Sequence, residues 1–306
     1  MAEFSLIQRY FQSLTAQTVA VGIGDDCAVS DIPQNKQLVS CVDTLVAGRH
    51  FYEHASPHAI GWKSIAVNLS DLAAMGAVPQ SILLALSLPE VDEAWLAEFS
   101  RGIAECCKRY GVQLIGGDTT QSPTLTISVT ALGWVEQGKA ILRRGAQVGD
   151  LICVSGEMGS AAYALVYADS PLQSTLDYPQ PQLALGQSLV GYASSMLDVS
   201  DGLGQDLGHI LQASQVGARI CLEDVPCAAE LKQLSVAEMM RYILAGGDDY
   251  QLCFTIAAEK LQQLPLALQK KVFVIGQIQA QLGCQYFYNG QNYQPEYVGY
   301  QHFVSR

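Results

Sequence analysis

The sequence predicts an α/β fold of mixed α+β character: two domains, each a mixed sheet with flanking helices. Three observations carry this. The chain has 306 residues, which at roughly 150 residues per domain suggests two. Its residues are 49% hydrophobic and only 15% charged, a composition that fills real cores and excludes intrinsic disorder. Apolar, β-branched runs alternate with helical periodicities, and the pattern breaks over 138–150, where Gly138, Gly145 and Gly149 fall. The boundary is placed there, giving an N-terminal domain over 1–137 and a C-terminal domain over 138–306.

In the first half, the runs 38–42, 82–88, 112–115 and 125–135 are rich in Val, Ile, Leu and Thr and predict strands. Ser56 and Pro57 supply an N-cap and a first-turn proline for a helix that runs to Gly76. Asp92 caps a second helix, with Leu96, Phe99, Ile103, Cys106 and Tyr110 on one face and Gly111 at its stop. The second half opens with a strand at 151–154 and a helix over 160–167. The segment 169–181 holds three prolines and predicts a loop. Strands at 195–199, 251–255 and 272–278 and helices at 203–213 and 239–244 complete the pattern. There is no internal repeat.

The chain carries 29 Asp and Glu against 17 Lys and Arg, a formal net charge of −12. An acidic surface disfavours nucleic-acid backbones and anionic membranes as partners. No apolar run approaches the roughly 20 residues that span a bilayer. The segment Met1-Ala2-Glu3-Phe4-Ser5 lacks the basic stretch and apolar core of a signal peptide. The nine cysteines show no zinc or redox spacing, and most sit among apolar neighbours as small hydrophobes. These features predict a reducing, cytoplasmic location.

The carboxylates are not evenly spread. Six motifs set Asp beside Gly or near an element end: Gly22-Ile-Gly-Asp25-Asp26, Cys41-Val42-Asp43-Thr44, Asn68-Leu-Ser-Asp71, Gly116-Gly117-Asp118-Thr119, Asp198-Val-Ser200-Asp201-Gly202 and Gly246-Gly-Asp248-Asp249-Tyr250. Glycine lets backbone approach a ligand closely, and carboxylates suit Mg²⁺, a hard cation that also keeps waters or substrate phosphates. Each motif also has a plain reading. Gly-Asp-Asp is common turn chemistry, Asp201 before a helix reads equally as a cap, and Gly117-Asp118 reads equally as a loop. Asp43 says more, because a carboxylate ending a buried strand is costly without a partner. Asp71 says most: it lies on an Ala/Leu-rich helix, on one face with Ser64, Asn68 and Met75. No P-loop, complete Rossmann fingerprint or Gly-x-Ser-x-Gly occurs. A nucleotide would therefore reach these aspartates through metal.

These motifs together resemble the thiamine-monophosphate kinase family of the aminoimidazole ribonucleotide synthetase-like superfamily. The resemblance runs nearly end to end, and its most specific string is Ala66-Val-Asn68-Leu-Ser-Asp71-Leu-Ala-Ala-Met-Gly-Ala77. It implies a two-domain enzyme that transfers the γ-phosphoryl of ATP to thiamine monophosphate, giving thiamine diphosphate as the final step of that cofactor's biosynthesis. It implies several Mg²⁺ ions, held by Asp26, Asp43, Asp71, Asp118, Asp198 and Asp201 with the Val42 carbonyl. Asp71, Asp118 and Asp201 would be catalytic. Gly117, Asp118, Arg143 and Ser200 would contact ATP, and His50, Asp248 and Tyr300 the thiamine phosphate. It further implies a homodimer through the N-terminal domain, with the C-terminal domain completing the active-site cleft.

From the residues alone, His50 reads as a surface-edge histidine, Arg143 as a solvated turn residue with Arg144 as a rival, and Tyr300 as packing. The chain departs from the family twice. Cys41 and Val42 stand where hydroxyl-bearing residues are common, and a thiol is a poor Mg²⁺ ligand. Asp248 stands where Glu is usual, with a reach shorter by about one methylene. The expected chemistry is in-line phosphoryl transfer, in which positioning and charge neutralisation dominate. The acceptor phosphate, with second pKa near 6, is already ionised near pH 7, so no dedicated general base is needed. The rivals are a sister enzyme of the superfamily, a non-catalytic cation-binding protein and a metal phosphoesterase. A selenophosphate-synthetase role would need a reactive Cys in a Gly-rich N-terminal stretch, and none precedes Cys27.

Overall fold

The computed structural model describes residues 7, 9–14, 30–31, 33–297 and 299. The chain forms two compact units, one over Met1–Leu72 and Ala77–Gly138, the other over Ala73–Gly76 and Lys139–Arg306.

In the first unit β1 (Lys36–Val46) leads to α1 (Pro57–Ala74), β2 (Val78–Leu88), α2 (Glu93–Tyr110), β3 (Gln113–Gln121) and β4 (Thr126–Glu136). The sheet runs β1-β4-β2-β3. β4 pairs antiparallel with β1 and β2, while β2 and β3, joined through α2, are parallel. Alternation along β1 turns Val39, Cys41, Asp43 and Leu45 to the more buried face and leaves Leu38 and Val42 50% and 62% exposed. Asp92 caps α2, accepting from Ala94 N at 2.9 Å and Trp95 N at 3.1 Å, and Gly111 closes it at φ 66°. The two helices meet backbone to backbone. A Cβ on Gly61 would lie 2.2 Å from the Phe99 carbonyl oxygen, and one on Gly102 2.0 Å from that of His58. Two strands run further than their apolar runs suggest: Asp43 sits inside β1, and Gly117 and Asp118 sit inside β3, where a loop was the equal alternative.

The second unit contains β5 (Leu151–Val154), α3 (Ser160–Val166), α4 (Gln173–Asp177), α5 (Leu183–Ser188), β6 (Ala193–Asp198), α6 (Leu203–Ser214) and β7 (Gly217–Cys221). It continues with α7 (Val236–Ala245), β8 (Leu252–Ile256), α8 (Ala258–Gln263), α9 (Leu266–Gln269), β9 (Phe273–Gln279), β10 (Gly283–Tyr288) and β11 (Gln291–Tyr293). Its sheet runs β11-β10-β7-β9-β5-β8-β6. The pair β10/β7 is parallel and its other pairs are antiparallel. Ile152, Val154, Leu197, Leu207, Ile210, Ile220, Ile243 and Ile275 form the core. Cys153 and Cys253 pack fully buried, and the described cysteines are free thiols. The expected loop at 169–181 is corrected in part: α4 forms between its prolines, with Leu176 buried.

Candidate active site

Helix α1 is buried at every position from 59 to 74 except Asp71. A helix hidden all round is a core element, so a single carboxylate opening toward solvent marks a specific place on it. One turn earlier, Asn68 is fully buried and ties the helix to β1: its Oδ1 accepts from the Asp43 backbone N–H at 3.0 Å, and its Nδ2 donates to the Ser64 carbonyl at 3.0 Å. The Cys41 thiol donates to the Asn68 carbonyl at 3.4 Å and also hydrogen-bonds Asp71. Burial, then the negative charges of Asp71 and Asp43, push this thiol far above its ordinary pKa. Asp43, Asp71, Cys41 and Asn68 thus form one group. Because the Asp43 N–H points off the ladder toward Asn68, strand alternation turns the neighbouring Val42 carbonyl toward Thr130 on β4.

Asp118 stands apart from that group within the same unit. The register aligns Asp43, Val129, Leu84 and Gly117 in one row, and Thr44, Ser128, Ala85 and Asp118 in the next. Asp118 therefore lies three strands away from Asp43, about 14 Å at ~4.8 Å per strand. Gly117 has a packing reason of its own: at φ 156°, a Cβ there would lie 1.9 Å from the Leu84 carbonyl oxygen. Beyond β1 the chain turns at Gly48 (φ 73°), and His50 Nδ1 accepts from the Val46 N–H at 3.0 Å. That bond selects the imidazole tautomer with its proton on Nε2.

The second unit brings Asp198, Ser200, Asp201 and Asp248 into one locality. Asp198 ends β6, buried. Asp201 is not the cap of α6; Gly202 at φ 113° takes that place without a side-chain bond. The loop is held instead by buried Asp206, whose Oδ2 accepts from the N–H groups of Ser200 at 3.0 Å and Asp201 at 2.9 Å. Burial pushes the Asp206 carboxyl up to about 7; the two N–H groups pull it down, and the charges of Asp201 and Asp198 push it further up. The 246–250 loop lies against this segment, with Asp248 N–H donating to the Ser200 carbonyl at 3.0 Å and Tyr250 N–H to that of Val199 at 2.8 Å. Asp248 and Tyr250 both hold positive φ, 68° and 49°, strained conformations for such residues. The Tyr250 hydroxyl donates to Asp248 Oδ1 at 2.9 Å. Asp249 turns the other way and accepts from the N–H groups of Gly159, Ser160 and Ala161 at the start of α3. Burial pushes its carboxyl up to about 8 against those three donors. Arg143 and Arg144 are both exposed, and the Ser214 hydroxyl donates to the Arg143 carbonyl at 3.4 Å. The Gly22–Cys27 motif with Asp25 and Asp26, and Tyr300, lie outside the described residues.

Among the described residues, no three His, Cys, Asp or Glu side chains converge as a ready-made metal cage. The donors nevertheless fit Mg²⁺. They are carboxylate oxygens in small groups, and Mg²⁺ is typically held by one or two carboxylates plus waters and substrate phosphates. Sequence reasoning missed Asp206, Asn68 and Tyr250 as the residues that hold these groups in place. Asn68 was visible only as a neighbour of Asp71 on one helix face; Asp206 and Tyr250 gave no signal beyond their nearness to motifs.

Comparison with known proteins gives the family. The family model for AIR synthase related protein, N-terminal domain, matches residues 24–135, and that for the C-terminal domain matches residues 147–288. The thiamine-monophosphate kinase of Haemophilus influenzae is 44% identical over 283 residues, 88% of this chain and 86% of its own. The crystal structure of thiamine-monophosphate kinase from Stenotrophomonas maltophilia superposes with a TM-score of 0.85 at 40% identity, covering 95% of this chain and 98% of that one. A structure of AaThiL complexed with AMPPCP and TMP gives a TM-score of 0.78 at 31% identity, covering 98% and 97%. The chain belongs to the AIR synthase related family and, within it, to the thiamine-monophosphate kinases.

Proposed function

We propose that this chain phosphorylates thiamine monophosphate with ATP, giving thiamine diphosphate and ADP by direct in-line transfer. The observation that carries this is near-full-length similarity to relatives named thiamine-monophosphate kinase, including the AaThiL chain complexed with AMPPCP and TMP. Within the first unit Asp43 and Asp71, and separately Asp118, would hold Mg²⁺, as would Asp198 and Asp201 in the second; Asp26 joins the set from the motif. Bound there, Mg²⁺ would supply charge neutralisation for the reacting phosphates. The protein's own part is orientation. The His50 tautomer presents an N–H suited to a phosphate oxygen, and Asp248, held by Tyr250, presents a fixed carboxylate to the thiamine phosphate. Gly117 lets β3 lie close to β2, which sets where Asp118 projects. Ser200 and Arg143 would contact ATP.

We read the chain as a cytoplasmic homodimer. No described helix is long and apolar enough to cross a membrane. Leu38, Val42 and Val78 are 50%, 62% and 47% exposed along the open face of the first sheet, with Ser40 and Thr44 among them, and exposed apolar side chains of this kind suit a second copy. The test of function is ATP consumption with and without thiamine monophosphate. Consumption that depends on the acceptor and yields thiamine diphosphate supports the reading. Acceptor-independent release of inorganic phosphate would favour a phosphoesterase instead.

A further inference from the structure

We propose that Asn68 is a positioning residue for the Asp43–Asp71 carboxylate pair, with the Cys41 thiol as its second strut. The proposal deepens the functional reading and rests on those two carboxylates holding Mg²⁺. Among the described residues β1 is flanked by β4 alone, so an N–H turned off the ladder needs a partner elsewhere. The N–H that is turned away belongs to Asp43 itself, and the fully buried Asn68 amide receives it at 3.0 Å. The other end of the amide is fixed to its own helix by the 3.0 Å bond from Nδ2 to the Ser64 carbonyl. Asp71 lies one turn further on, on the same face. The amide therefore sets the distance between the backbone of one carboxylate and the helix that carries the other. Cys41, two residues before Asp43 and on the same face of β1, makes a parallel connection through its thiol to the Asn68 carbonyl and to Asp71.

A purely structural role accounts for less. A leucine of the same branched shape would satisfy an apolar helix face without the cost of burying an amide. What the amide adds is a defined separation of the two carboxylates, which a small octahedral cation needs and a hydrophobic core does not. The cysteine fits the same role. A thiol is a weak hydrogen-bond donor to oxygen, and here it bonds the group without serving as a hard-metal ligand.

The test uses the full chain with AMPPCP at fixed concentration, titrated with MgCl2 and followed by melting temperature. The Mg²⁺ concentration for half of the stabilisation is compared among the parent, Asn68→Leu, Cys41→Ala and Asp71→Asn, and KM for thiamine monophosphate is measured alongside. Groups that orient metal ligands typically change affinity 10–100-fold when removed. Asn68→Leu is expected to raise the Mg²⁺ half-point at least about tenfold while KM for thiamine monophosphate stays put, and Cys41→Ala to raise it less, in the same direction. A cooperative melt in Asn68→Leu with the parent's half-point overturns the proposal. If Asn68→Leu does not melt cooperatively, Cys41→Ala decides, and an unchanged half-point there overturns it. Asp71→Asn separates the two failures. If it binds Mg²⁺ like the parent, or the parent shows no Mg²⁺-dependent shift, the metal reading falls and the proposal with it. If Asp71→Asn loses the shift while Asn68→Leu and Cys41→Ala keep it, only the role of Asn68 and Cys41 falls.

Discussion

Replacing Gly117 by Ala puts a methyl group where the neighbouring strand already is. The added Cβ would stand 1.9 Å from the Leu84 carbonyl oxygen and 2.8 Å from its carbonyl carbon. Non-bonded contacts are comfortable at roughly 3.5 Å, so β3 must withdraw from β2 by about 1.6 Å. The contact is backbone, so no side-chain rotation relieves it. Overpacking of this kind costs typically ~1–3 kcal/mol, with a melting temperature lower by roughly 2–4 °C for each kcal/mol. The larger effect falls on activity. Asp118 follows directly in the chain and moves with the strand, and a misplacement of about 1 Å in a catalytic group can cost ~10²-fold in rate. The assay pairs a thermal melt with steady-state turnover of ATP and thiamine monophosphate. Gly117→Ala should remain folded, melt a few degrees lower and lose about two orders of magnitude in kcat. Parental melting and parental kcat together would refute both the strand spacing and the placement of Asp118.

The other predictions concern separate parts of the molecule. Asp71→Asn should abolish turnover while the melt survives, because one oxygen donor and one charge are lost at an opening in an otherwise buried helix; near-normal turnover at saturating Mg²⁺ counts against its role. Asp249→Asn should destabilise by about 1–3 kcal/mol, since the amide NH2 would face a backbone N–H at the start of α3. The same variant has a pH signature. A carboxyl raised from 3.8 to about 8 in the fold contributes stability that is fully present below pH ~4 and lost as pH rises through about 8, with a slope of at most ~1.4 kcal/mol per unit. Asp249→Asn should therefore flatten the decline in stability between those limits, as chemical denaturation at several pH values would show; an unchanged slope argues against the raised carboxyl. Ser235→Ala removes a capping box, in which the serine accepts from the Glu238 N–H and Glu238 reaches back to the Ser235 N–H. It should cost ~1 kcal/mol in a denaturant melt and leave turnover unchanged.

Much of the architecture could be read in advance where periodicity was strong. Asp92 and Gly111 bounded α2, and the Val/Ile/Leu runs located β2, β4, β5 and β8. Three strands were missed: β7 is Gly-Ala-Arg-Ile-Cys, β10 is Gly-Cys-Gln-Tyr-Phe-Tyr and β11 is Gln-Asn-Tyr. Strand ends were misjudged at Asp43 and Asp118 because polar residues were taken to stop strands. In a sheet with one more open face, an edge strand continues through them. The carboxylates were legible as motifs, since Asp71 interrupts an apolar helix in the sequence just as it does in the fold. Their supports were not legible. The Asn68 link to β1, the Asp206 hold on Ser200 and Asp201 and the Tyr250 hold on Asp248 all depend on which backbone N–H groups and side chains the fold brings within reach.

The reaction is defined by where the γ-phosphoryl goes. The most direct measurement supplies ATP labelled in its γ-phosphate together with thiamine monophosphate and Mg²⁺, and follows the label in the products. The label should appear in the terminal phosphate of thiamine diphosphate, one for each ADP formed. Label found in inorganic phosphate, at a rate indifferent to thiamine monophosphate, would contradict it.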